Sequence, residues 1–196
     1  ATNRACTELP GVSAVARTAA SLPYKARTVN LAVFGADAAL PPLPELVRVL
    51  VPGGWVCIAD AAVAPPTAAT DAAGLQRRTT PDGALLLRKP ALEPGSWTHH
   101  LGDDANSATS GDSSAGPITA LQWQAPPQHT RHHDHKGSCS VQNMVSCGQR
   151  IYAIADYGAQ HSIFLPARYQ LVVRDAFNGT LAWTRPLEMS NPLASL

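Results

Sequence analysis

An α/β unit followed by an all-β unit is the fold class the sequence predicts, and three observations predict it. Between Val29 and Ala59 a buried-type apolar run, a run of helical period and a second buried-type run follow one another. That is the order of a strand–helix–strand unit, which implies a parallel strand pair. Between Ser138 and Arg185 four strand-length runs are separated by turn signals, the pattern of an antiparallel meander. Composition breaks between the two: all 7 His of the 196-residue chain lie beyond residue 98, and the residues before it are rich in Ala and Pro. Such a break fits two units with different tasks.

In the first unit Gly11–Arg17 reads as a short strand, and Ser21-Leu22-Pro23-Tyr24 as a loop, because Pro23 has no amide hydrogen and fixes its own φ. Val29–Gly35 is a near-continuous apolar run, expected of a strand covered on both faces. Leu43, Leu46, Val47 and Leu50 recur at helical spacing, and Pro44 suits a first helical turn. Pro52-Gly53-Gly54 is expected to stop that helix, and Trp55–Ala59 to form the next strand, ending at Asp60. Ala61–Ala73, rich in Ala, Thr and Pro, reads as a loop. Pro81-Asp82-Gly83 is a turn signal, and Ala84–Lys89 the last hairpin strand of the same sheet.

The second unit opens at Trp97-Thr98-His99-His100, with Asp103, Asp104 and Asn106 close by. Residues 107–117, rich in Ser, Gly and Ala, predict a surface loop, and Ile118–Trp123 a short strand. The meander strands are Ser138–Ser146, Arg150–Asp156, Tyr169–Asp175 and Thr180–Arg185. Cys147-Gly148-Gln149 and Phe177-Asn178-Gly179 supply turns, the latter with Asn and Gly where φ turns positive. Asn178-Gly-Thr is also a formal glycosylation sequon, here read as the hairpin turn. Four short antiparallel strands in series are the unit of a propeller blade.

Two segments of the first unit carry a resemblance. Glu45-Leu-Val-Arg-Val-Leu-Val-Pro-Gly-Gly-Trp-Val resembles the E-x-x-R-V-L-x-P-G-G segment of class I S-adenosylmethionine-dependent methyltransferases. Leu22-Pro23-Tyr24 followed by Val29-Asn30-Leu31-Ala32-Val33 resembles their L-P-F … F-D-L-V segment. The resemblance covers roughly residues 1–90 and implies a Rossmann-like fold of which this is the later part. It places the glycine-rich turn for the methionine end of the cofactor, and the acid for the ribose, upstream of residue 1. Thr18 stands where the family has an Asp near the adenine, and Asn30 where its F-D-L-V segment has an acid. Thr18, Ala19, Ser21 and Leu22 are then the cofactor-binding candidates, on the adenine side only.

The second unit carries another. Val173-Arg-Asp175-Ala176-Phe-Asn-Gly179-Thr-Leu-Ala-Trp183 resembles the D-A-x-x-G-x-x-x-W repeat of pyrroloquinoline-quinone-type β-propellers. In that pattern Gly179 makes the turn and Trp183 packs between neighbouring blades. The run from Trp97 to Trp183 is similar to bacterial proteins that fuse a methyltransferase-like domain to such a propeller. Pyrroloquinoline quinone itself is not expected, since its binding needs several blades.

Charge and cysteine usage exclude several classes. With 15 Lys+Arg against 14 Asp+Glu the chain has no basic field for nucleic acid. At 45% hydrophobic and 15% charged it can fill a core. No stretch of about 20 apolar residues offers a membrane span. Cys6, Cys57, Cys139 and Cys147 form no C-x-x-C pair, so a zinc knuckle is not expected. Cys139 and Cys147 face each other if they lie on adjacent strands; free thiols are the alternative. The chain opens on Ala1 with no apolar signal core, and a piece of a longer protein, or a processed start, is expected.

The densest chemistry is Gln128-His129-Thr-Arg131-His132-His133-Asp134-His135. Imidazole and carboxylate suit a divalent metal such as zinc, copper, nickel or iron. In an extended segment His133 and His135 share one face and His132 and Asp134 the other. The candidate metal ligands are His133 and His135 with His99 or Asp103. A polar connecting strand with hydrogen-bonded His, an Arg131–Asp134 ion pair and an acid-sensing role are the alternatives.

These readings divide the chain into 1–95, the C-terminal part of a methyltransferase-like Rossmann domain; 96–137, a connecting segment with the His cluster; and 138–196, the first blade of a propeller. Methyl transfer from S-adenosylmethionine is expected of the intact parent, with the propeller as a platform for a small-molecule or protein partner. The chain alone is expected to be inactive, of low stability or associating, with Trp183 and Ile154 partly uncovered. Two further functions stay open. One is a non-catalytic binding protein whose Rossmann half is degenerate, as Thr18 and Asn30 suggest. The other is a metal- or quinone-dependent oxidoreductase centred on His129–His135. The propeller resemblance leans towards an exported or periplasmic location.

Overall fold

The computed structural model describes residues 20–92, 95–112, 120–128, 140–159 and 166–188. The chain divides into two compact units, Ala1–Ala91 and Leu92–Leu196. Each holds one four-stranded sheet, the first mixed and the second antiparallel. Helices are few and short, and no barrel closes among the described residues. No described helix is long and apolar enough to cross a membrane. The strand expected over Gly11–Arg17 lies outside the described residues.

Unit one begins with β1 (Val29–Phe34), α1 (Leu43–Val49) and β2 (Leu50–Ile58). β1 and β2 pair in parallel, as the strand–helix–strand pattern requires. Pro44 sits in the first turn of α1, Glu45 beside it and Arg48 in the last turn, each on the side its charge favours. The helix passes into β2 without a loop, and the Leu50 N–H still bonds Leu46. Pro52-Gly53-Gly54 therefore does not stop the helix as expected; it lies inside β2. There the pairing jumps from Val29↔Leu50 to Leu31↔Trp55, so the extra residues bulge out of the strand. Gly54 allows it: a Cβ there would stand 2.9 Å from the Val51 carbonyl and 3.2 Å from those of Val29 and Asn30.

The stretch expected to be a loop contains a 3₁₀ turn at Ala61–Val63 and α2 (Thr67–Ala72). The Asp60 carboxylate accepts the Ala62 N–H at 2.8 Å and starts the first. The expected last strand is β4 (Leu85–Arg88), and a strand that was not expected, β3 (Gln76–Thr79), makes a hairpin with it; the sheet order is β1-β2-β4-β3 with β4 antiparallel to both neighbours. Leu85 faces Ile58 and Leu87 faces Val56, all four fully buried, with Leu50 and Leu75 completing the cluster. β1 departs from expectation. Leu31 and Val33 are 58% and 66% exposed, so the strand is not covered on both faces by the described residues.

Unit two is a meander of β5 (Val141–Cys147), β6 (Arg150–Asp156), β7 (Tyr169–Asp175) and β8 (Leu181–Pro186), in sheet order. Gly148 and Gln149, both at positive φ, join β5 to β6 in the manner of a two-residue hairpin. The β6–β7 loop is closed by buried Asp156, whose Oδ1 accepts the N–H groups of Gly158 at 2.7 Å and Arg168 at 2.8 Å. Ile154 is half-buried and Trp183 is 43% exposed, both partly uncovered as expected. The strand predicted over Ile118–Trp123 is absent from its described part: residues 120–128 are irregular. Trp123 is held there by its side chain instead.

Candidate functional site

In unit one the two segments that carry the methyltransferase resemblance are tied together by side chains. Glu45 and Arg48, one turn apart on α1, pair through Arg48 Nη2–Glu45 Oε1 at 2.6 Å and Nε–Oε2 at 2.7 Å. Both then reach the loop. Glu45 Oε1 accepts the Leu22 N–H at 2.8 Å, and Arg48 donates to the carbonyls of Tyr24 at 2.9 Å and Leu22 at 3.2 Å. The Arg48 hydrogen bonds, then the Leu22 N–H, bring the Glu45 carboxyl down to about 2. Arg48 is shifted up by the same pair.

Glu45 has a lower pKa in the fold than the roughly 4.3 of an unfolded chain. Its contribution to stability is therefore complete above about pH 4.3 and is lost as the pH falls through its folded value. Wild-type and Glu45→Gln chains are expected to differ in melting temperature at neutral pH and to converge as the pH approaches 2. A difference that stays constant across acid titration would place the clamp's strength elsewhere.

The clamp sets Leu22 and Tyr24 at the side of β1. With Val29, Leu31, Ala32, Val33, Phe34 and Val49 they line a cavity of about 450 Å³. Its lining is apolar apart from Tyr24, so it suits a flat apolar surface and offers no carboxylate to a sugar hydroxyl. Ser21 is exposed beside Leu22. Thr18 and Ala19 lie outside the described residues. A second tie closes the other end of α1. Lys89 Nζ, next after β4, donates to the carbonyls of Val47 at 2.7 Å and Leu50 at 2.8 Å. Burial, and then nearby Arg27, push its pKa down.

In unit two only His99 and Asp103 of the candidate metal ligands fall among the described residues. His133 and His135 lie outside the described residues, with the rest of the 129–135 cluster. Asp103 spends both carboxylate oxygens on Ser107, accepting its N–H at 2.9 Å and its hydroxyl at 2.7 Å, and these bonds hold its pKa low. His99 is exposed, its Nδ1 2.9 Å from the Thr98 hydroxyl. Among the described residues no three metal-type side chains share a site.

Sequence reasoning missed one arrangement. Trp123 reaches the β7–β8 turn, where its Nε1 donates to the Ala176 carbonyl at 3.0 Å. Its ring lies against Gly179: a Cβ there would stand 2.5 Å from Cε3 and 2.6 Å from Cδ2. The turn is fixed by Asp175, whose Oδ1 accepts the N–H groups of Phe177 at 2.8 Å and Asn178 at 3.2 Å. The available signal is a repeated segment. Leu121-Gln-Trp123-Gln-Ala-Pro126 and Leu181-Ala-Trp183-Thr-Arg-Pro186 share L-x-W-x-x-P.

No protein-family model matches the chain, and neither the curated proteins nor the solved structures contain a significant match to it.

Proposed function

We propose that unit one is the later part of a Rossmann-like methyltransferase domain and unit two a β-propeller blade. In the intact protein they would carry out methyl transfer from S-adenosylmethionine, with the propeller as a platform for a small-molecule or protein partner. The observation that carries the reading is the clamp. Glu45 and Arg48, from one resembling segment, hold the backbone of Leu22 and Tyr24, from the other, at the mouth of an apolar cavity. An adenine ring face fits such a lining, and a parallel strand pair with a crossover helix suits a nucleotide-type ligand beside its strand ends. The mixed order, with an antiparallel strand on a parallel pair, is common in doubly wound sheets. The four-stranded meander with its D-A-x-x-G turn supports the blade.

The groups for the methionine carboxylate and the ribose would come from strands paired to the open edge of β1. Calorimetric titration of the intact protein with S-adenosylmethionine is expected to give saturable heat. Leu22→Asp is expected to weaken binding about tenfold, or ~1.4 kcal/mol, by placing a charge against the adenine side. Absence of heat in the intact protein would end the cofactor reading. That result is the one predicted by the second reading, a non-catalytic binding protein. Asn30 favours the second reading: it stands where the resembling segment has an acid, and it is exposed on β1.

A further inference from the structure

The segment that carries Trp123 makes a small basin on unit two. Trp123, Gln124, Ala125 and Gln128 line a space of about 490 Å³, within the size range of small-molecule sites. Fixed contacts hold its wall in place. The Trp123 N–H is spent on the Ala176 carbonyl, and one face of the ring is seated on Gly179. Further along the segment the Tyr157 hydroxyl donates to the Pro126 carbonyl at 3.1 Å. With its N–H engaged, the ring offers the basin an apolar π surface and no donor. The polar groups there are two side-chain amides, Gln124 and Gln128. Both are exposed, and neither is hydrogen-bonded among the described residues. The described lining holds no charged side chain.

We infer that this basin is a saccharide site, which seats a neutral pyranose with equatorial hydroxyls against the Trp123 ring. An aromatic face is negative and attracts positively polarised hydrogens. A pyranose with equatorial hydroxyls presents C–H bonds on its faces and hydroxyls around its rim. A hydroxyl both donates and accepts, and so does a side-chain amide, through its NH₂ and its C=O. Gln124 and Gln128 therefore answer the rim as the indole answers the face. A charged ligand would give up hydration here and find no counter-charge. A nucleobase would stack too, but reading its edge takes an amide held in the plane of the base. Amides that no described residue holds suit hydroxyls spread around a ring. The inference names a ligand for the platform proposed in unit two, and to that extent rests on that reading. Heat from S-adenosylmethionine tests unit one separately, so either can fail without the other.

The test uses the full chain and two neutral probes. Cellotetraose is built of glucose units with equatorial hydroxyls, and adenosine stands for a stacking nucleoside. Each is titrated while the indole N–H signals are followed by nuclear magnetic resonance, the Trp123 signal being identified by its loss in Trp123→Phe. Cellotetraose is expected to shift that signal saturably, and adenosine to leave it in place. Gln124→Ala and Gln128→Ala change exposed side chains outside the Trp123–Gly179 contact, so the fold is expected to stay as it is. Each is expected to weaken cellotetraose binding about three- to tenfold, the effect of losing one or two neutral hydrogen bonds. The double variant is expected to lose saturable binding altogether. A Trp123 signal that cellotetraose does not move overturns the inference. So does cellotetraose binding that the double variant leaves unchanged, and so does a saturable response to adenosine of equal or greater strength.

Discussion

Gly179→Ala is expected to destabilise unit two more than any other single methyl group added to the described residues of its sheet. The residue is at φ +71°, where an L side chain costs about 1–2 kcal/mol. The added carbon would also meet the Trp123 ring at 2.5 Å, an overpacking that costs about 1–3 kcal/mol. Together these give a loss of about 2–5 kcal/mol, to be read from amide exchange of the central strands β6 and β7. The two parts separate in a double-mutant cycle. With Trp123→Ala as background the steric part disappears and only the backbone part, about 1–2 kcal/mol, remains. Equal cost in both backgrounds would mean that the indole does not rest on the glycine.

In unit one the largest effect is expected at Leu87. It is fully buried opposite Val56, next to the Leu85–Ile58 pair on the same face. Truncation to alanine removes apolar burial and leaves a cavity between two strands, a loss of about 2–5 kcal/mol. Leu86 points to the other face and is only half-buried, so Leu86→Ala is expected to cost less than half as much. Exchange rates at the Val56 and Ile58 amides measure both. Similar losses at the two positions would contradict the register of β4.

What the sequence revealed follows from how much of each element's stabilisation is local. β1, α1 and the four strands of the meander carry their apolar period within their own residues, and each was readable. β3 is Gln-Arg-Arg-Thr, exposed at all four positions. It is a strand because β4 pairs with it, and no periodicity could announce that. α2 is short and built on Thr and Ala around one buried residue, Thr70. Pro52-Gly53-Gly54 was misread because the same residues that end helices also permit a bulge where backbones crowd.

The candidate sites divide in the same way. Glu45 and Arg48 stood out as part of a resembling segment, but only three dimensions join them to a loop more than twenty residues away. Asp103 drew notice as a carboxylate near histidines, yet its oxygens serve the Ser107 turn. The partnership of Trp123 with a turn 53 residues on was invisible to spacing. The repeated L-x-W-x-x-P segment was its one trace.

The strand order of unit one also constrains the order of events during synthesis. β4 is the last strand of this unit to leave the ribosome, but it stands between β2 and β3. β3, made earlier, pairs with β4 alone among the described strands and must wait for it. Lys89, next after β4, reaches carbonyls of α1 and β2 that were made 42 and 39 residues before it. The nascent sheet therefore cannot grow strand by strand in the order of translation. It stays open on β2 until residue 89 has emerged, and then closes around its final segment.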